Sequence, residues 1–117
     1  MELDDIKLDQ LTALKGERKF DALIMYPGAP NEEIRVRCES SVNELLDTLV
    51  RGLPERPDTA FVLSAFNSFL NNFNGEDTEE KERACGYCEQ VMDILGMESS
   101  EGVLNSWLYG VDSNEEP

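Results

Sequence analysis

Residues 58–75 are DTAFVLSAFNSFLNNFNG, and this stretch decides the fold. Its apolar side chains recur every three or four residues, which is the period of an α-helix with one buried face. Asp58 or Thr59 can cap the first turn, and Asn74-Gly75 can end the helix because both residues tolerate a positive φ. Four of the five phenylalanines of the chain lie here, so we expect this helix to be central in the core. The predicted buried stripe is Val62, Phe66, Phe69, Leu70 and Phe73.

Two further helices are predicted on the N-terminal side of this stretch. One covers residues 2–14, and the other has Pro30 at its first position and ends near Gly52, since proline fits a first turn and glycine ends helices. Between them, the apolar run from Phe20 to Tyr26 ends in Tyr26-Pro27-Gly28-Ala29-Pro30, whose prolines predict a turn or loop. The run over residues 20–26 could instead be a lone strand, but it has no obvious partner. The apolar stripes of the two helices are Leu3, Ile6, Leu11 and Leu14, then Ile34, Cys38, Val42, Leu45, Leu49 and Leu53.

Two helices are also predicted on the C-terminal side. The fourth helix begins at Asp77, with Glu80 completing a capping box, and stops at Gly96. A short fifth helix starts at Ser99 or Ser100. The predicted buried residues of these helices are Ala84, Cys88, Val91, Met92 and Leu95, then Val103, Leu104, Trp107 and Leu108.

These elements together indicate an all-α protein. No stretch alternates strictly between apolar and polar residues, and no internal repeat appears. At 117 residues the chain has the usual size of one domain with its own core. The prediction is therefore a single-domain bundle of four to five helices over residues 1–117, with frayed termini at about 1–3 and 111–117.

The chain is strongly acidic. It contains 25 Asp and Glu against 10 Lys and Arg, no histidine, and a net charge of −15. Residues 57–117 contain only two of the basic residues, Lys81 and Arg83. A field of this sign repels nucleic acid and anionic membranes and attracts basic proteins. We therefore expect a basic protein as partner, and neither nucleic acid nor a membrane.

Cellular location is predicted from the N-terminal residues and the cysteines. Residues 1–5 lack the basic region and apolar run of a secretory signal, and no apolar stretch is long enough to span a bilayer. Three cysteines are an odd number, which argues against a disulfide framework. The prediction is a cytoplasmic protein with reduced thiols.

Cys85-Gly86-Tyr87-Cys88 has the spacing of a redox motif, but its context favours a structural role. The motif lies about two turns inside a predicted helix rather than at a helix N-terminus, where a thiol pKa is lowered. The nearby carboxylates of Glu80, Glu82 and Glu89 would raise the pKa of these thiols and disfavour the reactive thiolate. A thiol enzyme stays open as an alternative.

Metal, cofactor and catalytic sites are not predicted. Three cysteines without histidine cannot supply the four ligands of a structural zinc. If Gly75 is placed at the sixth position of a calcium-binding loop, Leu70 and Lys81 fall at ligand positions, so that register fails. Without histidine a Ser or Cys nucleophile lacks its usual base, and the glycines form no phosphate-binding loop. We predict no enzymatic activity and no cofactor.

The candidate partner-binding residues are acidic and aromatic side chains of the second half. An acidic run could be only a solvated first turn that complements the helix dipole, or a ridge facing a partner. Trp107 and Tyr109 could be core anchors or the centre of an interface. The acidic candidates are Glu76, Asp77, Glu79, Glu80 and Glu82, with Glu98, Glu101 and Asp112 as a second cluster.

Two segments resemble a family of small uncharacterised bacterial all-α proteins. They are Tyr26-Pro27-Gly28-Ala29-Pro30 and residues 94–110, ILGMESSEGVLNSWLYG. The similarity covers nearly the whole chain and implies a small bacterial cytosolic domain. It implies no activity, cofactor or catalytic residue.

Two main functions remain open at the level of sequence. The first is a small acidic binding protein that neutralises or inhibits a basic partner, in the manner of immunity proteins. The alternative is an interaction or regulatory module without inhibitory activity, whose acidity serves solubility. A homodimer formed through one exposed helix stripe is possible in either case.

Overall fold

The computed structural model describes residues 2–22 and 26–109, with the backbone alone at positions 105, 108 and 109. These residues form an all-α bundle, as predicted from the periodic stretches. The five helices are α1 (Asp5–Lys15), α2 (Glu32–Gly52), α3 (Thr59–Asn71), α4 (Thr78–Leu95) and α5 (Val103–Tyr109). The predicted fraying of residues 1 and 111–117 lies outside the described residues.

Side-chain caps set the start of the first three helices. Asp4 and Asp58 accept hydrogen bonds from the backbone N–H three residues on, at 2.8 and 2.7 Å. Asn31 does the same for α2, where its Oδ1 lies 2.9 Å from the amide nitrogen of Ile34. The expectation that Pro30 opens this helix is therefore wrong, because the capping residue follows the proline.

The later helices also differ from prediction at their ends. Asp77 precedes α4 but makes no side-chain capping bond, so the capping box is absent. After Asn71, α3 tightens into turns in which Phe73 N–H donates to the carbonyl of Leu70. Glu101 has a positive φ of 55°, which breaks helical geometry and delays α5 until Val103.

The predicted core stripes of α3 and α4 are confirmed. Every residue predicted to be buried on these two helices is buried. α3 packs against α2, α4 and α5, and α4 also packs against α1. On α1 the prediction for Ile6 is wrong, since this side chain points outward and is 68% exposed, whereas Leu11 and Leu14 are buried.

The segment between α1 and α2 enters the core through Phe20. Its ring lies 5.8 Å from the ring of Phe73 and 5.2 Å from that of Tyr87, measured between centroids. Phe20 N–H donates to the Tyr87 hydroxyl at 3.1 Å, and its φ of 63° turns the chain inward. Residues 20–22 form no regular element and Tyr26 takes part in an isolated β-bridge, whereas residues 23–25 of the run lie outside the described part. Lys19 follows α1 and is buried, and its Nζ donates to the carbonyls of Lys15 and Glu17, which offsets the cost of burial.

None of the helices in the described ranges is long and apolar enough to cross a lipid bilayer.

Candidate functional site

The outer face of α4 carries a row of carboxylates. The inward face of this helix is fixed by Ala84, Cys88, Val91 and Leu95, so the opposite side must face solvent. Glu79, Glu82, Glu89 and Asp93 lie there, and all four are exposed. We call these four residues the acidic stripe. Positions 79, 82, 86, 89 and 93 are three or four residues apart, and Gly86 occupies the one position in this series without a carboxylate. The stripe extends about 21 Å along the helix.

The acidic stripe is not compensated by ion pairs. Among residues 2–22 and 26–109, no basic group lies within salt-bridge distance of its four carboxylates. The nearby guanidinium of Arg83 lies over the ring of Tyr87 instead, 4.3 Å from its centroid. Several carboxylates in the first half of the chain are paired, as Asp47 is with Lys15 and Glu39 with Arg35. The stripe therefore presents concentrated negative charge to solvent.

Glu80 is not part of this surface, which corrects its prediction as a partner-binding residue. Its side chain is only 1% exposed, and its Oε2 accepts a hydrogen bond of 2.8 Å from the hydroxyl of Tyr26. Burial, together with this bond, raises the pKa of Tyr26 far above its usual value. The burial of Glu80 could have been predicted from helical spacing. Residues four apart lie on the same face of a helix, and Glu80 is four residues before the buried Ala84.

Glu76, also predicted as a partner-binding residue, is paired with Arg37 within the fold. Its side chain is 12% exposed and its Oε2 accepts two hydrogen bonds from Arg37, from Nε at 3.1 Å and Nη2 at 2.7 Å. This ion pair links the turn before α4 to α2. The hydrogen bonds with Glu76 raise the pKa of Arg37. The negative charge of Glu76 is therefore neutralised by an ion pair within the fold.

The two predicted acidic clusters lie at opposite ends of α4. Asp77 and Glu79 are at its N-terminal end, whereas Glu98 and Glu101 follow its C-terminal end, and all four are exposed. Glu89 and Asp93, which were not predicted to bind a partner, connect the two ends along the stripe. Their spacing from Glu82 on the outward side of the helix is the signal that would have found them. Asp112 lies outside the described residues.

Trp107 is attached to the fold rather than free at the surface. Its indole Nε1 donates to Oδ1 of Asn74 at 3.2 Å, and its ring packs partly buried against the core. This placement matches the core-anchor alternative for the tryptophan. The Tyr109 side chain lies outside the described part of the structure.

The three cysteines are buried thiols. Cys38, Cys85 and Cys88 are free and at most 5% exposed. Burial raises the pKa of Cys38 to about 12 and that of Cys85 to about 11, and raises that of Cys88 as well. Carboxylates add to this effect at Cys85, through Glu89 and Glu82, but burial is the larger cause. At neutral pH these thiols hold their protons, which disfavours nucleophilic chemistry.

These pKa values predict that the protein loses stability in alkali. The unfolded Cys85 thiol ionises near its ordinary value of 9.0, whereas the folded thiol keeps its proton until about 11. The contribution is complete below pH 9 and is lost as pH rises toward 11, by about 1.4 kcal/mol per pH unit. Urea unfolding at several pH values should show a shallower decline for Cys85→Ala than for wild type. Val91→Ala, which removes core volume from the same helix without removing a thiol, should keep the wild-type slope; equal slopes for all three proteins would contradict the prediction.

No metal-binding cluster is present in the part of the chain that the structure describes. There, no three Cys, Asp or Glu side chains come together in a way that could hold an ion.

Comparisons with known proteins agree with the fold. A family model described as "Domain of unknown function (DUF4844)" matches residues 2–112. A DUF3571 family protein from Acinetobacter baumannii AYE, known from its crystal structure, is similar with a TM-score of 0.82 and 28% sequence identity. That similarity covers 91% of this chain and 90% of the other. No curated protein matches the chain significantly.

Proposed function

Because the chain belongs to the family described as domain of unknown function DUF4844, a description that names no activity, we propose its role from its surface. The protein binds a basic partner protein through the acidic stripe of Glu79, Glu82, Glu89 and Asp93, and thereby neutralises the partner's basic surface. One observation carries this proposal: four exposed carboxylates lie along one face of α4 without an ion pair among the described residues.

The length of the stripe supports a macromolecular partner. The four carboxylates extend over about 21 Å, which is too long for one small cation to contact them all. A row of Lys and Arg side chains on a protein could pair with them along this length. Such a surface speeds encounter by long-range attraction, and its effect weakens as salt screens the charges. A partner that normally binds nucleic acid fits best, because its basic residues already match a line of anionic groups.

Asp77, Glu98 and Glu101 extend the proposed surface at its two ends. Glu98 and Glu101 border a shallow cavity of about 590 Å³ beside Leu95 and Met97, at the end of the bundle. Apolar contact next to carboxylates suits the long side chains of lysine and arginine, whose stems are apolar and whose heads are charged.

We place this interaction in the cytoplasm of a bacterial cell. The buried, unoxidised cysteines support a reducing compartment. The similar protein from Acinetobacter baumannii supports a bacterial setting.

The first experiment is a pull-down with the tagged protein from its native lysate at low salt, eluted by a salt gradient and identified by mass spectrometry. A stoichiometric basic protein that elutes sharply with salt is the expected result. If that protein is an enzyme, its activity should fall when this protein is added in equal amount. A captured partner that resists high salt would favour the alternative, an interaction module whose acidity serves solubility.

Charge reversal then locates the binding surface. The variant Glu79→Lys/Glu82→Lys/Glu89→Lys should reduce the association rate with the captured partner at least about tenfold at low salt. The matched control, Asp9→Lys/Glu33→Lys/Glu55→Lys, changes net charge equally at exposed carboxylates outside α4 that form no ion pair in the structure. Equal slowing by the two triple variants would show that net charge matters and the stripe does not.

A further inference from the structure

Gly86 lies near the middle of α4, where the fold gives no reason for a glycine. Glycine in a helix interior destabilises the helix relative to alanine, because its backbone loses more freedom on folding. The position does not need the conformational freedom of glycine, since Gly86 is not among the described residues with a positive φ. A Cβ built there would meet only Nη1 of Arg83, at 3.6 Å, which is ordinary van der Waals contact.

Gly52 of α2 differs from Gly86, because packing requires it. A Cβ at position 52 would lie 2.2 Å from Cζ of Phe61, so any side chain there would displace the ring. No such neighbour lies over Gly86 in the part of the chain that the structure describes. The glycine at position 86 is therefore explained neither by backbone geometry nor by packing within the described fold.

Gly86 interrupts the acidic stripe at its centre. Glu82 lies one helical turn before it and Glu89 one turn after it, and both carboxylates are exposed. Because position 86 has no side chain, the backbone of α4 forms the surface between these two charged groups. The distance between packed helices depends on the side chains at their contact. A second chain can therefore approach the axis of α4 more closely at Gly86 than at the carboxylates of the stripe.

The side chain of Arg83 lies beside this gap and keeps unused hydrogen-bonding capacity. Its guanidinium lies over the ring of Tyr87, and its Nη1 is the atom nearest to the absent Cβ of Gly86. Among the described residues Arg83 forms no ion pair, and its Nε is buried without a hydrogen-bond partner. Such groups are normally satisfied in a folded protein. The planar guanidinium suits a partner that covers the gap and brings oxygen acceptors to its Nη groups.

We propose that a basic α-helix of the partner protein crosses α4 at Gly86, which rests on the proposed function because it gives the shape of that same partner. A small residue of this helix, or the apolar stem of a lysine or arginine, lies against the backbone of Gly86. Basic side chains one turn to either side reach Glu82 and Glu89. The carboxylates of Glu79 and Asp93 add attraction farther along the stripe.

A crossing helix explains a single glycine better than an extended segment does. Two packed helices come closest at one point, and a small residue at that point lets their axes approach. An extended basic segment along the stripe would contact the carboxylates through long side chains and would need no close approach at one position. A helical partner also matches the spacing of the stripe, since both helices repeat like residues every three or four positions.

Binding of a synthetic helix to the purified full chain tests the proposal. The probe is an alanine–lysine peptide of about 20 residues, with its lysines at helical spacing along one face. The comparison peptide has the same lysines but one central alanine replaced by proline, which breaks the helix. In calorimetric titrations at low salt, we expect the helical peptide to bind at least about fivefold more tightly than the proline peptide.

Substitutions of Gly86 separate close approach from attraction between charges. Gly86→Leu should weaken binding of the helical peptide at least about tenfold, because leucine fills the gap, and should change binding of the proline peptide by less than about twofold. The control Ser40→Leu places the same side chain at an exposed position of α2 and should leave both affinities unchanged. Gly86→Ala should raise the melting temperature by about 2–4 °C, since the fold has room for the methyl group.

Four outcomes would overturn the proposal. They are a Gly86→Ala variant that melts below the wild type, equal binding of the two peptides, equal binding of the helical peptide to wild type and Gly86→Leu, and equal weakening by Ser40→Leu. If Glu79→Lys/Glu82→Lys/Glu89→Lys also leaves peptide binding unchanged, the proposed function fails with it. If that triple variant loses binding while Gly86→Leu keeps it, the crossing helix is wrong and the acidic stripe remains the binding surface.

Discussion

Replacing Phe20 with alanine is expected to lower the free energy of unfolding by about 3–5 kcal/mol. Phe20 is 1% exposed and its ring contacts the rings of Tyr26, Phe73 and Tyr87. The contact joins the segment after α1 to α3 and α4, so the cavity would lie where three parts of the chain meet. Alanine at a φ of 63° keeps the backbone strain of the native residue, and the measured loss is therefore that of the ring.

Phe61→Ala is the matched control for this change. Phe61 is only partly buried, and its ring lies beneath the guanidinium of Arg56, which is exposed. The same chemical deletion should cost less than about half as much there, because solvent can fill the space. If urea unfolding gave equal losses of unfolding free energy for the two variants, Phe20 would contribute no more to core packing than the partly buried Phe61.

Glu80→Lys should destabilise the protein by about 3–5 kcal/mol, whereas Glu79→Lys should cost less than about 1 kcal/mol. The residues are neighbours in the first turn of α4, and the two substitutions change charge equally. Only Glu80 is buried, so its replacement places an ammonium group in the core beside the Tyr26 hydroxyl. Thermal or urea unfolding of the two variants measures the difference.

Glu80→Gln provides the second comparison at this position. A glutamine carbonyl can still accept the hydrogen bond from Tyr26, so we expect a smaller loss than for lysine. If Glu79→Lys and Glu80→Lys were equally stable, the buried placement of Glu80 would be wrong. The pair also explains why the charge-reversal test of binding leaves Glu80 unchanged.

The fold was largely predictable because the apolar periods are regular. Val62, Phe66 and Phe69 recur at helical spacing, and their burial follows from geometry alone. Helix ends were less predictable, because they depend on which of several nearby groups makes the cap. Asn31 rather than Pro30 starts α2, and the positive φ of Glu101 delays α5.

The candidate surface was predictable in sign but not in detail. A cluster of acidic residues in the sequence does not show which of the carboxylates form ion pairs or hydrogen bonds with distant residues of the chain. Glu76 meets Arg37, which is 39 residues earlier, and Glu80 meets Tyr26 across the core. Both contacts depend on tertiary packing. Glu89 and Asp93 were not predicted as partner-binding residues because they lie apart from the dense acidic run in sequence, although the helix places them in line with it.

The hydrogen bond between Trp107 and Asn74 determines what the fluorescence of this protein reports. Trp107 is the single tryptophan, and it joins α5 to the turn that follows α3. Its emission spectrum therefore senses whether the last helix is docked, whereas far-ultraviolet circular dichroism senses the whole bundle. Detachment of α5 ahead of the remaining helices would separate the two unfolding curves, and coincident curves would identify one cooperative unit.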